Sequence, residues 1–287
     1  MKISKLHPIM QLATAATLAL GLGVAAQAEE GAKLIVNGEI EMVTRTAAPA
    51  YIDGLDEIIS GWEFRSTETQ ALQMDDFDNS GMLGVDSALE AWNKVQGPEQ
   101  KSCATCHGDV ESMKGVRTVM PKFNEEANDL WTLEDYINNC RTERQNVEAW
   151  GYTGGSMTNM AALIAVQSRG MPMNVAIDGP AAPFWEAGKE LYYARTGVLE
   201  LSCASCHEQS YGLHIRADHL SQGQINGFPA YRLKNAKLNG IHARFKGCVR
   251  DTKAETYKPG GPEFHALELY VASRGNGLTV EGPSVRN

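Results

Sequence analysis

At 287 residues the chain is long enough for two ordinary domains, each able to bury a core. A hydrophobic content of 43% and a charged content of 21% exclude an intrinsically disordered chain, and a formal charge of −9 argues against nucleic acid as a partner. Aromatic residues reach only 7%, which leaves part of any core to be filled by something other than aromatic side chains.

The first predicted element is a leader. Lys2 and Lys5 precede an uncharged apolar run, Leu12 to Val24, and small residues follow at Val24-Ala25-Ala26 and Ala26-Gln27-Ala28. Residues 1–28 therefore read as a secretory signal peptide cut after Ala26 or Ala28. The alternative is a membrane anchor, for which the run is short against the roughly 20 apolar residues of a span. No twin-arginine pair is present, so export of the unfolded chain is implied. Removing the leader takes two lysines and no acid, which leaves 24 basic against 35 acidic residues and a charge of −11. No later segment is apolar enough to span a bilayer, and stable membrane insertion is not expected.

Residues 29–80 show strand-type alternation only near Leu34 to Ile40 and have no counterpart elsewhere. They are expected to be an N-terminal extension wrapping the first domain, with no role assigned. From there the chain repeats itself. Cys103-Ala104-Thr105-Cys106-His107 and Cys203-Ala204-Ser205-Cys206-His207 lie 100 residues apart, each with an aromatic residue 11 positions upstream, Trp92 and Tyr192. A lone cysteine follows after 37 and 45 residues, Cys140 and Cys248, with Arg141 and Arg250 close behind. Ala161–Gly170 aligns with Ala266–Gly275, and both segments have helical apolar spacing that stops at glycine. Between the copies, Asp178-Gly179-Pro180-Ala181-Ala182-Pro183 reads as a linker that cannot continue a helix. The expected fold is mainly α, with two tandem domains related by duplication, 81–178 and 184–287.

Six cysteines in an exported chain ordinarily imply disulfides, but four of these lie in C-x-x-C-H pentapeptides. In that motif the thiols add across the vinyl groups of a haem and the histidine becomes the proximal iron ligand. A redox dithiol or half of a zinc site requires neither the adjacent histidine nor two copies. Two covalently bound haem c groups are expected, on Cys103, Cys106 and His107 and on Cys203, Cys206 and His207. The two domains are then cytochrome c-like.

Methionine or histidine usually fills the second axial position. The first copy offers Met113, Met120, Met157, Met160, Met171 and Met173; the second has no methionine after Met173 and offers His214, His219, His242 and His265. The equivalent placement of Cys140 and Cys248 makes each the distal ligand of its own haem, with a mutual disulfide or two free thiols as the alternative. Thiolate ligation would stabilise ferric iron and lower both potentials. The surroundings of the two cysteines differ. Between Asp129 and Trp150 five acids face two bases, Arg141 and Arg144. Between Tyr231 and Lys253 the bases Arg232, Lys234, Lys237, Arg244, Lys246, Arg250 and Lys253 are opposed only by Asp251. Cations favour a thiolate and draw anions, so Cys248 is expected to be a reactive cysteine handling an anion and Cys140 a ligand alone. A solvated basic face is the alternative.

On both haem motifs, both lone cysteines and the stretch Arg244-Phe245-Lys246-Gly247-Cys248, the chain resembles the SoxA family over nearly its whole length. These are dihaem subunits of the SoxAX cytochromes of bacterial sulfur oxidation. The resemblance implies an L-cysteine S-thiosulfotransferase that oxidatively joins thiosulfate to a cysteine of a SoxYZ-type carrier and passes two electrons to cytochrome c. It implies axial pairs His107–Cys140 and His207–Cys248, with Cys248 also catalytic and bearing a persulfide at rest, and with Arg244 binding substrate. A SoxX-type monohaem cytochrome would complete a periplasmic heterodimer. Two other readings stand beside this one. A thiosulfate dehydrogenase forming tetrathionate would pair cysteine ligation at one haem with methionine at the other; a plain dihaem electron carrier would leave Cys248 inert.

Overall fold

The computed structural model describes residues 33–216 and 218–287, and the leader lies outside the described residues. Its helices are α1 (Thr67–Met74), α2 (Met82–Asn93), α3 (Cys103–His107), α4 (Leu133–Asn139), α5 (Gly155–Val166), α6 (Ala182–Tyr193), α7 (Cys203–His207), α8 (Ile241–Asp251) and α9 (Pro262–Arg274). No helix of the described residues is long and apolar enough to cross a membrane.

In each half, the helix ahead of the C-x-x-C-H turn packs on a later helix: α2 on α5, and α6 on α9. Both later helices are enclosed along most of their length, so neither needs a polar face. Polar groups on such a helix must find partners. On α9, Ser273 Oγ accepts from Trp185 Nε1 (2.9 Å), Arg274 pairs with Glu208, and Glu268 lies 3.0 Å from His242. α6 approaches α9 closely at Gly188, where a Cβ would stand 2.0 Å from Ala266 O.

The halves share local detail. Ser102 and Ser202 start α3 and α7 with reciprocal caps to Thr105 and Ser205. Gly97 and Gly197 turn the chain ahead of each motif at φ 71° and 69°. A Cβ on either would lie 2.1 Å from a backbone oxygen, of Gln145 and Thr252 respectively. Hairpins lead into α4 and α8: Lys122–Asn124 with Asp129–Trp131, and Ala230–Arg232 with Lys237–Asn239. Ser284–Arg286 adds a parallel third strand to the second hairpin.

Several expectations are corrected. The strand signal near Leu34 is a hairpin, Ile35–Val36 with Ile40–Glu41, but the remaining strands are two or three residues long and too short to alternate visibly. The expected linker at 178–183 runs straight into a helix. Pro183 stands in the first turn of α6, where its missing N–H has no carbonyl to meet. α5 ends at Val166, short of Gly170, whereas Gly275 caps α9 directly. Residues 33–79 bond chiefly to the second half rather than the first. Val43 N donates to Thr279 Oγ1 (3.0 Å), Tyr51 OH to Ser273 Oγ (3.0 Å), Ile59 N to Gln222 Oε1 (2.8 Å) and Asn79 Nδ2 to Pro283 O (2.9 Å). With these contacts residues 33–287 hold together as one unit.

α4, α8 and α9 bring together buried Glu134, His242 and Glu268, with Arg117 beside them. Arg117 donates to Met120 O and Ile225 O, at 3.0 and 3.3 Å. Burial, and then Glu268, push the Glu134 carboxyl up to about 7, with His242 pulling the other way. A folded value above the ordinary 4.5 means that this group's contribution to stability is full below 4.5 and is lost as pH rises through about 7. Glu134→Gln is therefore expected to flatten the decline of unfolding free energy between about pH 4.5 and 7. Urea denaturation across that range measures it, and an unchanged slope would rule out Glu134 as the source.

Candidate active site

α3 and α7 present the pentapeptides as single helical turns, and all six cysteines are free, so the disulfide alternative is not formed. The lone cysteines come to the motifs. Burial and then Cys140 raise the Cys103 thiol; burial and then Cys248 push Cys203 up to about 12 and raise Cys206. Met120 and Met160 lie in the core cluster on which Cys103, Ala104 and Met113 pack, while Met157 and Met173 are buried. The candidate histidines of the second half face other side chains. His242 and His265 face Glu268 and Asp135 at 3.0 and 3.3 Å, and His214 stacks on His219 at 4.4 Å.

The two lone cysteines sit on different backbones. Cys140 opens a π-helical turn, Cys140–Arg144, in which Gln145 N donates to Cys140 O at 3.1 Å. Cys248 lies inside the regular helix α8, one turn after Arg244, so the two side chains share a face.

The imidazoles differ as well. His207 Nδ1 lies 2.8 Å from Ser221 O. A carbonyl only accepts, so Nδ1 carries the proton and Nε2 keeps its lone pair for a metal. Gly223, at φ 76°, lays its backbone against the ring, and a Cβ there would stand 2.7 Å from the imidazole Cγ. Burial, opposed by the Ser221 bond and aided by Arg244 and Arg274, lowers the His207 pKa to about 4 and keeps the ring neutral. His107 is exposed; its ring lies 5.8 Å from Trp92, whose Nε1 donates to Gly108 O at 3.0 Å. Tyr192, the counterpart of Trp92, lies under the Arg274 guanidinium at 4.5 Å.

Cations separate the sites most clearly. Arg141, next to Cys140, is committed: Nε and Nη2 donate to Glu148 O (3.1 and 2.9 Å), and the guanidinium covers Trp150 at 3.9 Å. Near Cys248 the guanidinium of Arg244 has no hydrogen bond or ion pair among the described residues, and it lies close enough to oppose the rise at Cys206 and to add to the fall at His207. Arg232, on the strand Ala230–Arg232, is in reach of Arg244 and Cys248. Of the rest of the basic run, Lys234, Lys237, Lys246 and Arg250 are solvated, as the bland alternative held. Sequence reasoning missed Arg65, whose Nη2 donates to His219 O and whose Nε is buried without a partner. It is a single arginine in a segment with no motif.

Two thiols on one helical turn, an imidazole with a free Nε2 and a facing thiol make a donor set that fits a covalently attached haem c. A family model described as SoxA/TsdA, cytochrome c domain, matches residues 87–173. The chain is 60% identical to the L-cysteine S-thiosulfotransferase subunit SoxA of Rhodovulum sulfidophilum, over 92% of this chain and 93% of that one. It is 55% identical to the protein of the same name from Paracoccus pantotrophus, over 96% and 97%. Among solved structures it matches the crystal structure of SoxXA from P. pantotrophus with a TM-score of 0.87 and 56% identity, covering 90% of this chain and 99% of that one.

Proposed function

The chain belongs to the SoxA family, and we infer that it is the SoxA subunit of an L-cysteine S-thiosulfotransferase, acting on thiosulfate beside a SoxX-type cytochrome subunit. Its cytochrome c domain implies covalent haem c. The matched caps, turn glycines and hairpins support two such groups, on two cytochrome c-like units related by duplication, 81–178 and 184–287, behind an N-terminal extension. Cys103 and Cys106 would hold the first haem, with His107 and Cys140 as axial ligands. Cys203 and Cys206 would hold the second, with His207 and Cys248. Bound there, the haem supplies a one-electron sink beside the reacting sulfur. The leader supports export to the periplasm.

One observation supports the second unit as the site of reaction: Cys248 and Arg244, which has no ion pair among the described residues, share one face of α8 beside Cys206 and His207. The planar fork of Arg244 matches the sulfonate oxygens of a dianionic substrate. Arg141, its nearest counterpart at the first unit, is already bonded to Glu148 and Trp150. Joining the outer sulfur of thiosulfate to the thiol of a SoxYZ-type carrier breaks one S–H bond and forms one S–S bond. It releases one proton and two electrons, which pass to a cytochrome c-type acceptor. The dehydrogenase reading pairs cysteine ligation at one haem with methionine at the other, and no methionine follows Met173 in the second unit.

The test uses the haem-loaded complex with thiosulfate, carrier and ferric cytochrome c. Mass spectrometry is expected to find one thiosulfate group added to the carrier thiol. The intact chain should carry two haem masses, falling to one in the Cys103→Ser, Cys106→Ser variant. Tetrathionate as the sole product, with an unmodified carrier, would overturn the assignment.

A further inference from the structure

Thiosulfate presents three sulfonate oxygens, and one guanidinium fork satisfies two of them. The space beside Cys248 holds more positive charge than Arg244 alone. Arg65, from the segment ahead of the first unit, lies within electrostatic range of Arg244 and Arg232. Its Nη2 donates to His219 O, and Phe64, one residue earlier, packs its ring against Tyr211 and His219 at 6.3 and 5.4 Å. Gln222 ties the same loop back to that segment by accepting from Ile59 N (2.8 Å) and donating to Glu57 O (3.1 Å). That loop also supplies the Ser221 carbonyl that holds His207. Arg65 is thus fixed to the loop that holds His207 by its own bond to His219 O and by the bonds of Glu57 and Ile59 ahead of it.

Its electrostatic setting lacks a counter-ion. Arg232, Arg244 and Arg286 all face it, with Asp218 the acid in range. Arg286 is neutralised by Glu281 at 3.3 Å and Arg232 Nε donates to Asn287 O at 2.7 Å, but Arg65 and Arg244 have no carboxylate within ion-pair distance among the described residues. Asp218 and Asp251 face Arg232 without closing a pair. Burial and the neighbouring arginines lower the Arg65 pKa to about 10, yet the group stays cationic at neutral pH. Like charges held together, one with a buried donor unbonded, are costly unless an anion completes them.

We propose that Arg65 is a second thiosulfate-binding arginine, which takes the sulfonate oxygen that Arg244 leaves free and turns the outer sulfur toward Cys248. The proposal rests on the reading of Cys248 and Arg244 as the thiosulfate site. It gives the N-terminal extension a part in substrate binding, with Arg232 adding charge at the edge.

The experiment is steady-state conjugation by the haem-loaded complex, with sulfate as an unreactive competitor, for Arg65→Gln, Arg65→Lys and Arg244→Ala. Arg65→Gln is expected to raise both the thiosulfate KM and the sulfate inhibition constant about tenfold, with a smaller change in kcat and an unaltered haem spectrum. Arg65→Lys keeps the charge but loses the fork, and a rise of about threefold is expected. Unchanged constants in both variants, or in the lysine variant if the glutamine variant does not fold, overturn the proposal while a defective Arg244→Ala leaves the active-site reading standing. Unchanged constants in all three variants overturn the reading and the proposal together.

Discussion

Cys248→Ala is expected to cut carrier conjugation by at least about a thousandfold while both haems stay attached. On the proposed reading attachment depends on Cys103, Cys106, Cys203 and Cys206, none of which the substitution touches, and alanine suits the interior of α8. The loss has two components, because Cys248 is read both as an iron ligand and as the reacting sulfur. Cys248→Met separates them: it returns a soft axial ligand without a thiol, and should restore a six-coordinate spectrum but not conjugation. Cys140→Ala is the internal comparison. Among the described residues Arg144 is the cation its surroundings offer an anion, since Arg141 is held by Glu148 O and Trp150. Conjugation in Cys140→Ala is expected to remain within about tenfold of the parent, and a loss equal to that of Cys248→Ala would contradict the division of roles.

Gly188→Ala should destabilise the fold by about 3 kcal/mol or more, among the largest effects of any single methyl group here. The added Cβ would stand 2.0 Å from Ala266 O and 2.9 Å from Tyr270 Cβ, and neither can yield without moving a backbone. α9 has little freedom to retreat, because Phe264 to Arg274 are buried along its length. Gly155→Ala makes the contrast: it starts α5 with nothing within 4 Å of the new methyl, and should be neutral or stabilising by a few tenths of a kcal/mol. Denaturant midpoints of the two variants measure the difference, and equal midpoints would show that α6 and α9 can separate at little cost.

Much of the chemistry was legible because it is local. C-x-x-C-H gathers the proposed haem-binding residues within five positions, and the caps that shape it, Ser102 with Thr105 and Ser202 with Ser205, lie within four. The lone cysteines were legible through their repetition, since their equivalent placement pointed to the motifs that they approach. The charge contrast was read in the right direction but too broadly. Composition counts every lysine between Tyr231 and Lys253, whereas exposure leaves Arg232 and Arg244 beside Cys248 and the lysines at 234, 237 and 246 in water. The placement of residues 33–79 was not legible. Their partners lie some 200 positions away, as Asn79 and Pro283 do, and no local pattern encodes such a pairing. The proline-led start of α6 was misread because proline forbids a helix interior but suits its first turn.

The hydrogen bonds from Val43, Tyr51 and Asn79 to Thr279, Ser273 and Pro283 also bear on how the chain matures. They join its early residues to its last ones across separations of 236, 222 and 204 positions, so the fold cannot close progressively from its N-terminus. Topologies with such distant pairings form slowly, because the loop-closure cost comes before the contacts that offset it. The loop that carries Ser221 and Gly223 is tied to the same early segment, through Gln222 to Glu57 and Ile59, so the wall against His207 is completed only when that segment docks.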